Sequence, residues 1–161
     1  MKNCYNNIDL SDILNEYLAN LKVLINNLYN LHFNVVGEDF FQIHAKLQEY
    51  YEKITLMYDE VAERIKMMGK YPITSLKTFE DVSNIKSMRS QDYTISQTLE
   101  IVINDFNFML DFSKAIYMYA NELNDTYTVD MMTDYIKFFE KQLWMLKSSL
   151  KYHINMCYGS K

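Results

Sequence analysis

The chain is poor in the residues that make tight turns: its 161 residues include only three glycines and one proline. Sandwiches and barrels need many such turns, so this composition argues against an all-β fold and favours a few long helices. Cysteine is also scarce. The two cysteines, Cys4 and Cys157, are too few for a disulfide framework and are typical of free thiols. We therefore expect a helical, cytoplasmic protein.

Long hydrophobic runs and clustered positive charge are missing as well. No apolar run approaches the ~20 residues of a membrane-spanning helix, and the N-terminus has no signal-peptide-like apolar region, so we expect no membrane partner. Sixteen Lys and Arg are outnumbered by twenty-one Asp and Glu, which gives a net charge of -5. Because phosphate binding needs clustered Lys and Arg, DNA binding is expected to be weak or absent.

Apolar residues recur at three- and four-residue steps along four stretches, which predicts four amphipathic helices. Their predicted bounds are about 9–36, 39–68, 92–123 and 128–155, with a short helix at 75–82 in the long connection. Residues 1–161 are thus predicted to form one all-α domain, a four-helix bundle with one crossover. The second helix is apolar on more than one stripe, so we expect it to form a subunit contact.

Candidate metal ligands fall into two groups. His32 and His44 lie on either side of a predicted turn, with Gln48 one helical turn beyond, whereas Asp59 and Glu63 lie near the far end of the second helix. At ~1.5 Å per residue, His44 and Asp59 are roughly 22 Å apart along that helix, so no single ion contacts both. Either these residues have structural roles, or two chains share a metal site. Two nitrogen and two carboxylate ligands with open positions suit Fe(II).

A wider pattern surrounds these residues. The segment Leu31-His32-Phe33-Asn34-Val35, followed by Gly37, Phe40-Phe41, His44 and the run YDEVAERI from Tyr58 to Ile65, resembles the Dps family of mini-ferritins. The resemblance covers about residues 10–152. It implies a ferritin-like four-helix bundle that assembles into a hollow homo-oligomer of twelve subunits. It also implies oxidation of Fe(II), preferably by hydrogen peroxide but also by oxygen, with storage of the Fe(III) mineral inside.

The same resemblance implies which residues bind iron. His32 and His44 of one subunit, with Asp59 and Glu63 of its neighbour, would form the catalytic ferroxidase site. Gln48 departs from the family pattern, because many members have an acid there and a neutral amide binds iron more weakly.

Phe33 is a second departure, because many members have a tryptophan that intercepts oxidising equivalents beside the site. Tyr50, Tyr51 and Tyr58 are candidates to replace that ring, although packing is the more ordinary role for all three.

An acidic cluster surrounds the predicted turn between the last two long helices: Glu122, Asp125, Asp130 and Asp134. Solvated charge at helix ends is the simpler interpretation. In the family, acids in this region line three-fold pores that admit Fe(II), and Asp125 and Asp130 match that pattern best.

Three functions follow from the sequence. The first is a ferroxidase, an oxidoreductase cage that protects against iron and peroxide under oxidative stress. The second is a DNA-compacting protein, which the lack of a Lys/Arg-rich tail disfavours. The third is a cage with a weakened site, acting mainly as a metal-binding, DNA-binding or structural protein.

Overall fold

Four long helices pack in two pairs, joined by a crossover that carries a short helix. The structure is a computed structural model that describes the backbone of residues 9–158 and the side chains of residues 9–152. The helices are α1 (Leu10–Asn34), α2 (Phe40–Met67), α3 (Leu76–Val82), α4 (Ile95–Glu122) and α5 (Thr126–Tyr158), and the strands are β1 (Val35–Val36) and β2 (Tyr93–Thr94). Helix α1 packs on α2, α4 packs on α5, and α3 lies against α1. The predicted all-α bundle with one crossover is confirmed.

The helix bounds differ from the predicted ones where tertiary contacts intervene. The first predicted helix loses its last two residues, because Val35 and Val36 pair in parallel with Tyr93 and Thr94. The helix predicted from residue 92 begins only at Ile95 for the same reason. Its start is fixed by a capping box, in which the Thr94 hydroxyl accepts from the Gln97 amide and the Gln97 side chain accepts from the Thr94 amide.

The interior of the bundle is rich in aromatic side chains, and its buried tyrosine hydroxyls form hydrogen bonds. Its largest fully buried rings are Tyr17, Tyr50, Tyr135, Phe106 and Phe139. The hydroxyls of Tyr17 and Ser113 are 2.8 Å apart, and Tyr135 donates to Glu60 at 2.8 Å. These buried tyrosine hydroxyls therefore have partners, as their desolvation requires, whereas the buried Thr98 hydroxyl has none among the described residues.

Asparagine side chains of α1 hold the crossover against the bundle. The Asn20 side-chain oxygen accepts from the backbone amides of Asn84 and Ile85, each at 2.9 Å. The side-chain oxygen of Asn27 accepts from the Met88 amide at 3.1 Å. These bonds fix the path of the crossover into β2, and β2 in turn pins β1 between the two helices that carry the histidines.

The prediction of free thiols receives no structural test. Cys4 and the side chain of Cys157 lie outside the described residues, so their assignment as free thiols stays a prediction. Within the described residues, no helix is both long and apolar enough to cross a bilayer.

Candidate metal centre

His32 and His44 form a closely packed pair across the turn between α1 and α2. Their rings stack with centroids 3.7 Å apart and planes inclined by 21°. The Nδ1 atom of His32 lies 2.8 Å from the His44 carbonyl, and the Nδ1 atom of His44 lies 2.8 Å from the His32 carbonyl. Because a carbonyl only accepts, each neutral ring carries its hydrogen on Nδ1 and keeps a lone pair on Nε2. That is the tautomer that binds a metal ion through Nε2.

The turn itself fixes this pair. Gly37 has φ = 142°, which side-chain-bearing residues rarely adopt, and a Cβ there would lie 2.8 Å from Cγ1 of Ile95. The His32 side chain is buried, with 6% exposure, and His44 is half-buried. Phe40 stacks on the His44 ring at 5.0 Å between centroids, so the two imidazoles have little freedom to reorient.

Asp59 and Glu63 lie on one exposed face of α2, one turn apart. Neither carboxylate forms a hydrogen bond or ion pair with another described residue. Along α2, Asp59 is roughly 22 Å from His44 at ~1.5 Å per residue. Across the side chains of residues 9–152, no group of three or more His, Cys, Asp and Glu is close enough to hold a metal ion. The described part of the chain therefore presents the candidate ligands as two separate groups.

Gln48 is exposed one turn beyond His44, and its amide nitrogen donates to a Glu52 carboxylate oxygen at 2.8 Å. This hydrogen bond orients the Gln48 amide, because Nε2 donates to Glu52 and Oε1 remains as an acceptor. Gln48 can thus offer a neutral oxygen, which binds iron more weakly than a carboxylate.

Helix α2 also carries the exposed apolar surface that its sequence predicted. Its buried face is formed by Leu47, Tyr50, Ile54, Met57, Val61 and Ile65. Away from that face, Phe41 is 81% exposed and Leu56 is 65% exposed. Large exposed apolar side chains on the helix that carries His44, Asp59 and Glu63 are typical of an interaction surface.

The acids near the α4–α5 turn differ from one another in role. Asp125 caps α5 by accepting from the Thr128 amide at 3.1 Å, and it pairs with Arg64 of α2 at 2.5 Å. Burial raises the pKa of Asp125, but the Thr128 and Arg64 hydrogen bonds outweigh it and hold the pKa below its ordinary value. Asp125 is therefore tied into the fold.

The remaining acids of the cluster are more exposed to solvent than Asp125. Asp130 is exposed on the first turns of α5, and Glu122 is exposed at the end of α4. Asp134 is also exposed and forms a 3.2 Å ion pair with Lys137. Of the two residues that best matched the pore pattern, Asp130 has the more accessible charge.

Sequence reasoning missed several residues that organise this region. Arg64 joins the end of α2 to the α4–α5 turn, also donating to the Thr128 hydroxyl at 3.1 Å. The asparagines that hold the crossover were missed too. Asparagine is unfavourable inside helices, so the presence of Asn20 and Asn27 within a strongly apolar helix could have indicated a structural role for them.

The four-helix bundle with its crossover defines a ferritin-like helical protein. A ferritin-like domain model matches residues 11–153. The DNA protection during starvation protein 2 of Bacillus anthracis is 31% identical over 144 residues, which are 89% of this chain and 98% of that one. Antigen TpF1 of Treponema pallidum is 31% identical over 138 residues, which are 86% of this chain and 78% of that one.

Solved structures agree with these relatives. The crystal structure of antigen TpF1 matches with a TM-score of 0.87 at 30% identity, covering 88% of this chain and 91% of that one. The Dps structure from Vibrio cholerae O1, a member of a broad superfamily of ferritin-like diiron-carboxylate proteins, matches with a TM-score of 0.84 at 33% identity and 88% coverage of each chain. This chain belongs to the Dps family.

Proposed function

We propose that this protein oxidises Fe(II) at sites shared between two subunits and stores the Fe(III) mineral in a hollow cage of twelve chains. The observation that carries the proposal is the presence of two incomplete groups of candidate ligands in one chain, His32 and His44 at the α1–α2 turn and Asp59 and Glu63 farther along α2. The histidine pair presents two Nε2 lone pairs, and the carboxylate pair is exposed, with no hydrogen bond or ion pair to another described residue. Two α2 helices packed antiparallel bring each histidine pair to the other chain's carboxylates, completing two equivalent sites.

The ligand chemistry suits iron as a substrate. The Nδ1–carbonyl hydrogen bonds hold the His32 and His44 rings still, so Fe(II) binds without a cost of reorienting them. Asp59 and Glu63 supply two negative charges, which favour Fe(III) over Fe(II) as the electron leaves. Four protein ligands leave coordination positions open for the oxidant, for which hydrogen peroxide is the preferred candidate and oxygen the second. Oxidation removes Fe(II) and peroxide together, which protects against oxidative stress.

A co-assembly experiment tests whether the site is shared. Cages of His44→Ala chains alone and of Glu63→Ala chains alone should both lose peroxide-driven Fe(II) oxidation. When the two variants are co-expressed, an interface between unlike chains contains one site with both defects and one intact site. With random mixing, a quarter of all sites are then intact, so about a quarter of the wild-type initial rate should return.

A matched control uses His32→Ala with His44→Ala, which damage the same half-site. No mixture of those two chains restores an intact site, so the rate should stay low. If Fe(II) oxidation returns in neither mixture, the shared site is contradicted. Native mass provides the independent check of assembly, since twelve chains of 19.3 kDa give about 230 kDa, and a monodisperse monomer would overturn the proposal.

Gln48 favours a second candidate, a Dps-like cage that binds metal but oxidises it poorly. Its neutral amide leaves His44 without a neighbouring acid at that position. This candidate predicts stoichiometric anaerobic binding of Fe(II) with little acceleration of oxidation by peroxide. Gln48→Glu should then raise the oxidation rate strongly, whereas an already efficient wild-type site would gain little rate.

A further inference from the structure

We propose that a cavity between α2, α4 and α5 binds a small hydroxyaromatic carboxylate. The ligand ring lies among apolar side chains, its carboxylate pairs with Lys46 at the mouth, and its hydroxyl pairs with Thr98 at the deep end. The cavity lies within one chain and is lined by none of the candidate metal ligands. The inference therefore goes beyond the proposed iron oxidation and does not depend on it.

The cavity has an open outer chamber and a narrow deep end. The outer chamber has a volume of about 240 Å³ and is bordered by Gln42 and Ser149. The deep end has a volume of about 10 Å³ and is lined by Thr98. The two parts adjoin, because they share five lining residues, Ile43, Lys46, Tyr50, Leu99 and Leu146.

The deep end contains a buried hydroxyl without a partner. Thr98 is 1% exposed, and its Oγ1 atom forms no hydrogen bond with another described residue. A helical threonine commonly donates to the carbonyl four residues earlier, so this atom lacks an ordinary partner. A volume of about 10 Å³ holds one group the size of a water oxygen. A ligand hydroxyl therefore fits beside Thr98 and supplies the missing hydrogen bond.

The walls between the two ends are apolar. Ile43, Leu99 and Leu146 supply aliphatic surface, and the Tyr50 ring supplies an aromatic one. The Tyr50 hydroxyl is already engaged, since it donates to the Gln142 side chain at 3.3 Å. Walls of this kind favour an aromatic ring, which buries a large apolar area and loses little conformational freedom on binding.

The mouth of the cavity carries a positive charge. Lys46 is the only charged residue among the described residues that line the cavity, and it is half-buried. Its Nζ atom lies 2.6 Å from the Glu49 carboxylate and 5.2 Å from the centroid of the Tyr50 ring. An ammonium group has three donors, so Lys46 can bind a ligand carboxylate while it keeps Glu49.

The probe is 4-hydroxybenzoate, which carries a carboxylate, a ring and a hydroxyl in this order along one axis. Benzoate lacks the hydroxyl, and 4-hydroxybenzyl alcohol lacks the carboxylate, so these two compounds are the matched controls. Calorimetry with metal-free protein in its native assembly measures the affinity of each compound. The wild-type protein should bind 4-hydroxybenzoate about three- to tenfold more tightly than benzoate.

Two variants assign the two ends of the ligand. Thr98→Val should weaken binding of 4-hydroxybenzoate about three- to tenfold and leave binding of benzoate unchanged. Lys46→Gln should weaken binding of both carboxylates about tenfold and leave 4-hydroxybenzyl alcohol unaffected. Lys53→Gln is the matched control, because Lys53 is exposed on the same helix and does not line the cavity.

Thermal melts show whether weaker binding comes from damage to the fold. Valine has nearly the shape of threonine and removes the unpaired hydroxyl, so Thr98→Val should melt at the wild-type temperature or higher. A lower melting temperature together with no binding of 4-hydroxybenzoate to the wild type would mean that a buried water pairs with Thr98. That result would overturn the proposal.

The remaining outcomes concern the ligand class and the independence from iron. Octanoate that binds as tightly as 4-hydroxybenzoate, and equally well to Thr98→Val, would overturn the hydroxyaromatic assignment. Equal affinities of wild type and Lys46→Gln for 4-hydroxybenzoate would overturn the anion site. Native mass and peroxide-driven Fe(II) oxidation should be unchanged in Thr98→Val, so failure of this inference leaves the proposed function standing.

Discussion

His32 and His44 hold each other in the metal-binding tautomer, because each Nδ1 donates to the backbone carbonyl of the other residue at 2.8 Å. Backbone carbonyls are commonly second-shell partners of metal-binding imidazoles. Here each histidine supplies the partner for the other, so the geometry of the pair depends on the backbone turn that joins α1 to α2.

That dependence makes Gly37 a sensitive position. Gly37→Ala places a Cβ 2.8 Å from Ile95 on a backbone with φ = 142°, so we expect a loss of about 1–3 kcal/mol in unfolding free energy. It should also weaken anaerobic Fe(II) binding, measured by calorimetry, because the histidine pair shifts with the turn.

Gly69→Ala is the matched control. Gly69 also has a positive φ, 76°, but a Cβ there meets nothing within 4 Å. It should cost about 1–2 kcal/mol of stability without changing Fe(II) affinity. Equal Fe(II) affinities in both variants and wild type would refute the coupling between turn and site.

Asn20 should be essential to the crossover. Asn20→Ala removes the acceptor for the backbone amides of Asn84 and Ile85, and each buried donor left unpaired costs about 1–3 kcal/mol. Asn26→Ala on the same helix changes an exposed side chain and should leave stability nearly unchanged or slightly higher. Thermal melts of the two variants check this difference, and matching melting temperatures would contradict it.

Asp105 predicts a pH dependence of stability. Burial raises its pKa to about 6, and a hydrogen bond from Asn27 only partly opposes that shift. The ordinary pKa of Asp is ~3.9, so the folded state holds the proton more tightly than the unfolded chain. The stability of the wild-type protein should therefore fall as the pH rises from about 4 to about 6.

Asp105→Asn should remove this loss of stability at higher pH. At neutral pH the variant should be more stable by up to about 3 kcal/mol, and the difference should vanish near pH 4. Denaturant melts between about pH 4 and pH 8 measure it, with Asp111→Asn as a control at an exposed position of the same helix. A constant difference across this range would exclude a raised pKa at Asp105.

We predict that Asp130 attracts Fe(II) at a three-fold pore. Asp130→Asn removes one charge from each of three chains and should slow mineral growth, most clearly at low ionic strength. Single-turnover oxidation of iron already bound should be unchanged, because the ligands are untouched. The Asp81→Asn variant changes an exposed acid of α3 and serves as control.

Asp125 is unsuitable for that test, because Asp125→Asn weakens the α5 cap and the Arg64 ion pair and should lower stability. Unaltered mineral growth in Asp130→Asn at every ionic strength would mean that iron is taken up elsewhere.

DNA binding should be weak. Each subunit carries a net charge of -5, the proposed cage would repeat that charge twelve times, and Lys and Arg are scattered along the chain. Gel-shift experiments with metal-free cages at roughly physiological salt should show little retardation of duplex DNA. Strong retardation that fades with added salt would reveal a basic surface formed by the assembly.

The amino-acid sequence by itself determined the helices, the crossover and the separation of the candidate ligands into two groups. Apolar periodicity and helix rise are local properties, so the separation of His44 from Asp59 follows from their spacing alone. The exposed apolar residues of α2, such as Phe41 and Leu56, were predictable for the same reason.

Only the tertiary structure decided which side chains meet across the chain. The β1–β2 pairing, the Asn20 hydrogen bonds and the Arg64–Asp125 ion pair join residues 58 to 65 positions apart. The contact of the Tyr51 ring with the His32 ring likewise depends on how α1 packs against α2. Helical periodicity reports which face of a helix is apolar, but the partner and the distance of each polar group are set by packing between helices.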